Sequence, residues 1–298
     1  MTETATSVPA RRPALLDLRV VGAMWWRELV RFRRDRSQLF GALSRTVLWL
    51  LILGFGLGAT LREIEGYTYA QYILPGVVTL NVLFASLQSA IALVWDRQVG
   101  LMRQVLVSPA PMLSVALGKI CGGASIAVIQ GTIPLALAPV LGVRLGLADL
   151  LLAWAVMFAM GIAITATGVI LACRMRTFEG FGSISNGVIQ PLYFLSGAIF
   201  PLKGIVGGVG FLDIPQALRD DLARYGVYAL GGGWVVELPQ WLRVMVYANP
   251  VSYLLDLLRL VLLGFSQMPL WASLGTVALL PPAAVVLAAW SMSRLRHT

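Results

Sequence analysis

The chain has 298 residues, 58% of them hydrophobic and only 12% charged, and its 23 basic residues against 14 acidic ones give a net charge of +9. Soluble domains carry about 25% charged residues, and a soluble protein of this length cannot hide so much apolar surface beneath a polar shell. A soluble enzyme or binding module is excluded, and the composition is that of an integral membrane protein. All the basic residues except Lys119 and Lys203 are arginine, and they cluster beside apolar runs, which points to lipid headgroups and membrane topology rather than to nucleic acid.

Residues 1–38 read as a cytoplasmic tail and an amphipathic helix. Helical spacing in LLDLRVVGAMWWRELVRFRRDRS puts Leu18, Val21, Trp25, Leu29 and Phe32 on one face and Arg27, Arg31 and Arg34 on the other. Trp25 with Arg27, Arg31 and Arg34 is the make-up of a helix that lies in the interface plane and anchors on lipid. The same arginine run suits nucleic acid, but an apolar run begins a few residues later, so that partner is set aside. No cleavable export signal is visible, and the first span is expected to serve as its own insertion signal.

About 20 apolar residues cross a bilayer core. Runs of that kind lie at about 39–61, 71–94, 113–142, 149–172, 181–202 and 271–293, giving a six-span transmembrane domain over 39–298. Arg27, Arg31, Arg33, Arg34 and Arg36 precede the first run; Arg97, Arg103 and Lys119 follow the second, Arg174 and Arg176 the fourth, and Arg294 and Arg296 the last. The opposite loops hold Arg62 beside Glu63 and Glu65, and Arg144, so the basic excess sets both termini in the cytoplasm.

The segment 95–119 interrupts two apolar runs. As a helix it carries Val99, Met102, Val105 and Leu106 on one side and Asp96, Arg97, Arg103 and Gln104 on the other, and Ser108–Pro109 ends it. Periodicity alone leaves open whether this is a membrane-hugging loop helix or a contact for a partner. The segment at about 203–268 is expected outside. Its residues 204–236 hold a possible helix at 215–229 between glycine clusters. VSYLLDLLRLVLLGF at 251–265 contains Asp256 and Arg259, too short and too charged to span, and reads as a re-entrant or surface-lying helix. Asn249–Pro250 should break 238–264 into two short helices that dip into the outer leaflet and return. Asp256 and Arg259 share a face there and can pair. The segment is either an external gate or a cap without gating.

Asn81, Gln88, Gln130, Thr165, Thr167, Asn186 and Gln190 are uncharged polar residues inside the spans, suited to interhelical bonds or to lining a substrate path. Gly118-x3-Gly122 permits close helix approach, and Cys121 and Cys173 read as buried thiols. No phosphate-binding Gly-x4-Gly-Lys-Ser/Thr loop occurs, the lone histidine is His297, and no span holds a pair of carboxylates. No catalytic residue, metal site or bound cofactor is therefore expected in this chain, and the energy for any transport has to come from elsewhere.

Three stretches, in order, carry a family resemblance. DRQVGLMRQVLVSPAPMLSVALGK contributes Asp96, Arg97, Gly100, Leu106, Ser108, Pro109, Gly118 and Lys119; the others are PLYFLSGAIFPL at 191–202 and LPQWLRVMVYANPVSYLLDLLR at 238–259. Together they resemble the type-2 ABC transporter permeases, membrane subunits of drug, polysaccharide and nodulation-factor exporters. Gln98, Leu101 and Arg103 stand where that family favours Glu, Thr and Glu, so this helix is the more basic. The resemblance implies an all-α fold of six spans in the cell membrane of a prokaryote, a cytoplasmic coupling helix over 96–109, and a separate cytoplasmic ATPase subunit that binds ATP and Mg. It further implies a homodimer that exports an amphiphilic or lipid-linked substrate. From the residues themselves, Asn81, Gln88, Gln130, Asn186 and Gln190 are the candidate path residues and Asn249, Pro250, Asp256 and Arg259 the candidate external gate. An ATP-independent channel, carrier or lipid-modifying membrane protein on the same six-helix plan is the alternative.

Overall fold

Backbone N–H and C=O groups in a bilayer have no water to bond, so a spanning chain must satisfy them within helices. The computed structural model describes residues 16–58, 64, 66–102, 107–108, 110–175, 177–200, 205–207, 227–230, 233–236 and 239–294, and helix dominates them. Helix α1 (Leu18–Arg34) starts at Asp17, whose carboxylate accepts from Arg19 N at 2.9 Å. Asp35 ends α1 and caps α2 (Arg36–Trp49), accepting from Ser37 N at 3.2 Å, and α2 runs on into a π-helical stretch, Leu50–Leu57. Then come α3 (Tyr69–Gln98), α4 (Met112–Ala136), α5 (Leu147–Arg174), and α6 (Phe178–Ile184), which continues through a π-helical stretch, Ser185–Ile189, into α7 (Gln190–Leu195). The last helices are α8 (Gln240–Ala248), α9 (Pro250–Leu263) and α10 (Leu270–Arg294).

Among the described residues five helices are long and apolar enough to cross a membrane, or up to six if the bent pair α8–α9 counts as one span. The expected fifth span at 181–202 is not one of the five. Its helical run covers 178–195, where Glu179, Ser183, Ser185, Asn186 and Gln190 leave it less apolar than the five, and the chain leaves the helical region by Gly197, whose φ is 76°. The chain is an all-α integral membrane protein with one departure. Strands β1 (Ile205–Gly207), β2 (Val227–Leu230) and β3 (Gly233–Val236) form a small antiparallel sheet in the order β1-β3-β2. The helix expected at 215–229 thus ends in strand over 227–229, and the rest of it lies outside the described residues.

Burial ranks the helices. In α3 78% of the apolar window is buried, against 22% for the span Arg36–Gly56 and 28% for α10. So α3 is the core, flanked by α4 and α5, while α2 and α10 turn most of their surface outward, where lipid tails replace water as the solvent. Helix α9, read from sequence as partial or surface-lying, is packed against α10, α5, α3 and α7, and its Leu254, Leu255, Leu258 and Leu262 belong to the main core.

The glycine pair on α4 has a physical role. A Cβ at Gly118 would lie 2.6 Å from Met24 Cβ, and one at Gly122 2.7 Å from Glu28 Cβ, so α1 seats on α4 only because those side chains are missing. Gly122→Val should lower the thermal unfolding midpoint in detergent by several degrees, since overpacking costs about 1–3 kcal/mol. Gly22→Ala, on the open side of α1 with nothing within 4 Å, should leave it unchanged when unfolding is followed by circular dichroism.

Candidate functional site

At the end of the bundle where α3 stops and α4 begins, five charged side chains meet. Glu28 faces α4 from the centre of α1 and accepts from Lys119 Nζ at 3.0 Å; both side chains are almost fully buried. One turn away Asp96, in the last turn of α3, pairs with Arg27 Nη2 at 2.5 Å and Arg31 Nη1 at 3.5 Å. Arg27 Nη2 also lies 3.6 Å from Glu28, which links the two pairs into one network. Asp17 N to Ser114 Oγ (2.7 Å) and Trp25 Nε1 to Ser125 Oγ (3.0 Å) add bonds between α1 and α4 on either side of it. Burial works to raise the Glu28 pKa, but the charge and hydrogen bond of Lys119 and the charges of Arg27 and Arg31 outweigh it and hold the carboxyl below its ordinary range.

This geometry changes the reading of α1. Arg27 and Arg31 turn toward a protein carboxylate, and of the expected anchors only Arg34 is left exposed without a carboxylate partner among the described residues, while Trp25 is partly exposed. The buried stripe of α1 runs through Glu28 and Phe32 rather than along a purely apolar face, and Leu18 is 75% exposed. Glu28 went unnoticed in the sequence because its partner Lys119 lies 91 residues away. The available signal was a single acid beside Arg27 in an arginine-rich helix.

The coupling segment is also placed differently from its helical wheel. Asp96 and Arg97 belong to α3, which runs unbroken to Gln98. Asp96 is buried, and Arg97 Nη1 donates to the carbonyls of Ala172, Cys173 and Met175, each at 3.1 Å, so it caps the end of α5. Gly100 takes φ 78°, a left-handed turn that suits glycine and redirects the chain out of α3. Past it Met102 points inward, while Val99, Leu101 and Val107 are exposed. Ser108 is half-buried, and Leu106 and Pro109 lie outside the described residues.

Of the five candidate path residues the fold brings three together. Gln88 of α3, Asn186 of the π-helical stretch and Gln190 of α7 line a cavity of about 110 Å³ with Phe84 and Phe181. Gln88 also borders a polar groove of about 310 Å³ that reaches Arg31, Asp35 and Gln38, so groove and cavity share a wall. Asn81 is elsewhere, fully buried between α2 and α3, where it accepts from Arg45 Nε at 2.8 Å and donates to Thr46 Oγ1 at 2.7 Å. Gln130 is buried in α4 with no partner for its Nε2 among the described residues.

At the other end of the bundle, α8 and α9 meet at Asn249 with a bend of 80°. Asn249 Oδ1 accepts from Val251 N at 3.0 Å, capping α9, its Nδ2 donates to Leu192 O at 2.6 Å, and Pro250 takes the first helical position. Asp256 and Arg259 are not surface charges. Both are 1% exposed and 3.9 Å apart at closest approach. Asp256 accepts from Ser266 Oγ and from Gln267 N and Met268 N, while Arg259 donates to Gly197 O at 2.8 Å, Tyr72 OH at 3.1 Å and Gln267 Oε1 at 2.9 Å. The guanidinium also stacks 4.7 Å over the Tyr72 ring. The expected 256–259 pair is therefore one edge of a buried network that joins α3, α9 and the turn after α7. Cys121 and Cys173 are half-buried free thiols.

A bundle of spanning helices with a charge-clamped amphipathic helix at one end and a buried broken helix pair is the make-up of a polytopic membrane permease. The sequence family fixes which kind. The chain belongs to the ABC-2 type transporter family, whose model matches residues 19–212. Nodulation protein J of Rhizobium leguminosarum bv. viciae is 27% identical over 209 residues, 68% of this chain and 80% of that protein. The inner membrane transport permease YadH of Escherichia coli K12 is 21% identical over 280 residues, 91% of this chain and 93% of that protein. The resemblance drawn from the three motifs is confirmed, and the protein is a membrane permease subunit of this transporter family.

Two outcomes follow from the charge network. Lys119→Met leaves Glu28 buried without its closest partner and should cost about 3–5 kcal/mol, whereas the Glu28→Gln, Lys119→Met double variant should recover part of that loss, read as a double-mutant cycle of denaturation midpoints. The second concerns pH. Because the folded-state pKa of Glu28 lies below its ordinary value of 4.5, its contribution is present above that value and is lost as pH falls through the lower one. The excess of the wild-type thermal unfolding midpoint over that of Glu28→Gln, followed by circular dichroism, should hold steady from about pH 7 down to about pH 4.5 and shrink only below it. An excess that has already shrunk by about pH 6 contradicts the assignment.

Proposed function

We propose that this chain is the membrane-spanning subunit of an ATP-driven exporter in the inner membrane of a prokaryote. Two copies work with two copies of a separate cytoplasmic ATPase, which binds ATP and Mg, and move an amphiphilic or lipid-linked substrate out of the cell. Family membership supports the class. The observation that carries the mechanism is the exposed apolar group Val99, Leu101 and Val107, in a segment flanked by the buried ion pairs of Asp96 on α3 and Lys119 on α4. Exposed apolar side chains so framed suit docking of a soluble partner. Arg27, Arg31, Arg34, Arg97, Lys119, Arg174 and Arg294 gather at or near the ends of helices that enter or leave this same side, which supports a cytoplasmic location for it and for both termini.

Closure of the ATPase pair moves the 99–111 loop. Because Asp96 and Lys119 tie that loop to α1, the displacement passes to α3, α4 and α1 as one body. The cavity at Gln88, Asn186 and Gln190 adjoins α2 through Phe84, on whose ring Arg45 rests, and takes the lipid-borne substrate. At the far end the α8–α9 pair closes the exit, pinned by Arg259 to Gly197 and Tyr72.

Purified from its own membrane, the wild-type chain is expected to bring down a P-loop ATPase subunit and to stimulate its hydrolysis. Gly100→Glu places a side chain at φ 78° and Leu106→Asp adds a charge to the expected coupling segment; each should cut the recovered ATPase severalfold while the spans still insert. A wild-type chain that recovers no ATPase, or variants that recover it undiminished, would remove the reading.

A further inference from the structure

Arg45 stands near the middle of the span Arg36–Gly56. An ionised side chain at that depth is costly and marks a functional position unless it is paired. The other embedded guanidinium, Arg259, has Asp256 beside it, but among the described residues no carboxylate pairs with Arg45. Its Nε donates to Asn81 Oδ1 at 2.8 Å, and its guanidinium carbon sits 4.5 Å from the centre of the Phe84 ring. The orientation of Asn81 is fixed in turn. Thr46 Oγ1 donates its proton to Ala42 O at 2.8 Å, so it can only accept from Asn81 Nδ2, which leaves the amide oxygen facing Arg45.

The result is a guanidinium held flat by one hydrogen bond and one ring, with neither Nη atom bonded to a described residue. Two parallel N–H donors in that geometry match a phosphate or carboxylate. A tie between α2 and α3 does not need this cation, because the Asn81–Thr46 bond already supplies one. Phe84, the ring beneath Arg45, also lines the cavity of Gln88, Asn186 and Gln190. We propose that Arg45 binds the anionic group, phosphate or carboxylate, of the transported amphiphile, and that the three amides beside Phe84 take its uncharged polar part. The inference rests on the permease reading and names the substrate class for it. Depth excludes the headgroups of resident lipids, which lie at the bilayer faces and not at mid-span.

The test is native mass spectrometry of the full chain released from a neutral detergent, with dodecyl phosphate as probe and dodecyl glucoside as its uncharged counterpart. The wild type should bind dodecyl phosphate about tenfold more tightly, as a charge-assisted bidentate contact supplies. Arg45→Gln should lose that preference, and Arg45→Lys, which keeps the charge without the fork, should keep part of it. A wild type with no preference overturns the site, and so does an Arg45→Gln chain that keeps its unfolding midpoint and its preference. The wild-type comparison decides by itself should the variant fail to fold. Phosphatidylglycerol displacing the probe equally well assigns the site to resident lipid, inorganic phosphate doing so assigns it to a free anion, and either result overturns the proposal. Recovery of an ATPase without anion preference removes only this inference, whereas anion preference without an ATPase keeps the site and removes the exporter reading.

Discussion

Everything at one end of this molecule depends on two buried carboxylates finding cations. Glu28 and Asp96 are each about 95% or more removed from solvent, and an uncompensated charge in that setting costs several kcal/mol. Lys119 answers the first, Arg27 and Arg31 the second. Because the four elements involved are the amphipathic α1, the end of α3, the start of α4 and the loop between them, electrostatic satisfaction fixes their mutual position more tightly than apolar packing alone can. The glycines at 118 and 122 supply the close approach that brings Glu28 within reach of Lys119. Ionic and steric complementarity thus act on the same contact.

The other end uses the same physics with different groups. Arg259 and Asp256 have no water to face, so carbonyl, hydroxyl, amide and ring partners from α3, from the turn after α7 and from the residues after α9 close around them. Between these two networks small residues let the helices pack closely, as in the contact of Gly161 with Ala124 and of Gly168 with Ala90, around a few buried polar side chains such as Asn81 and Gln130. The span Arg36–Gly56 is the least buried of the five, at 22% of its apolar window.

Much of this was legible in the sequence. Run length located α3, α5 and α10 within a few residues, the helical spacing of Leu18, Val21, Trp25, Leu29 and Phe32 opposite Arg27, Arg31 and Arg34 located α1, and Asn249–Pro250 located the break between α8 and α9. What the sequence hid was non-local. Asp96 and Arg97 look like the polar face of a loop helix, but nothing before Gly100 interrupts α3, and the partners that bury them come from α1 and from the end of α5. Asp256 and Arg259 look like surface charges until the residues at 266–268 fold back over them. Arg45 was averaged away: one cation in a long apolar run barely changes its hydropathy, although a lone charge at mid-span is itself a signal. Within 203–236 glycine punctuation suits either turns around a helix or turns between strands, and over 205–207, 227–230 and 233–236 it is strand pairing that is found.

In the proposed mechanism the segment after α3 is the face presented to a soluble ATPase. A photo-crosslinking residue placed at Val107, 86% exposed on that loop, tests it in intact cells, with Leu147, 75% exposed at the opposite end of the bundle, as the comparison. Crosslinks from position 107 to a P-loop ATPase subunit, and none from position 147, are the predicted result. Crosslinks from 147 but not from 107 would contradict both the orientation and the docking role.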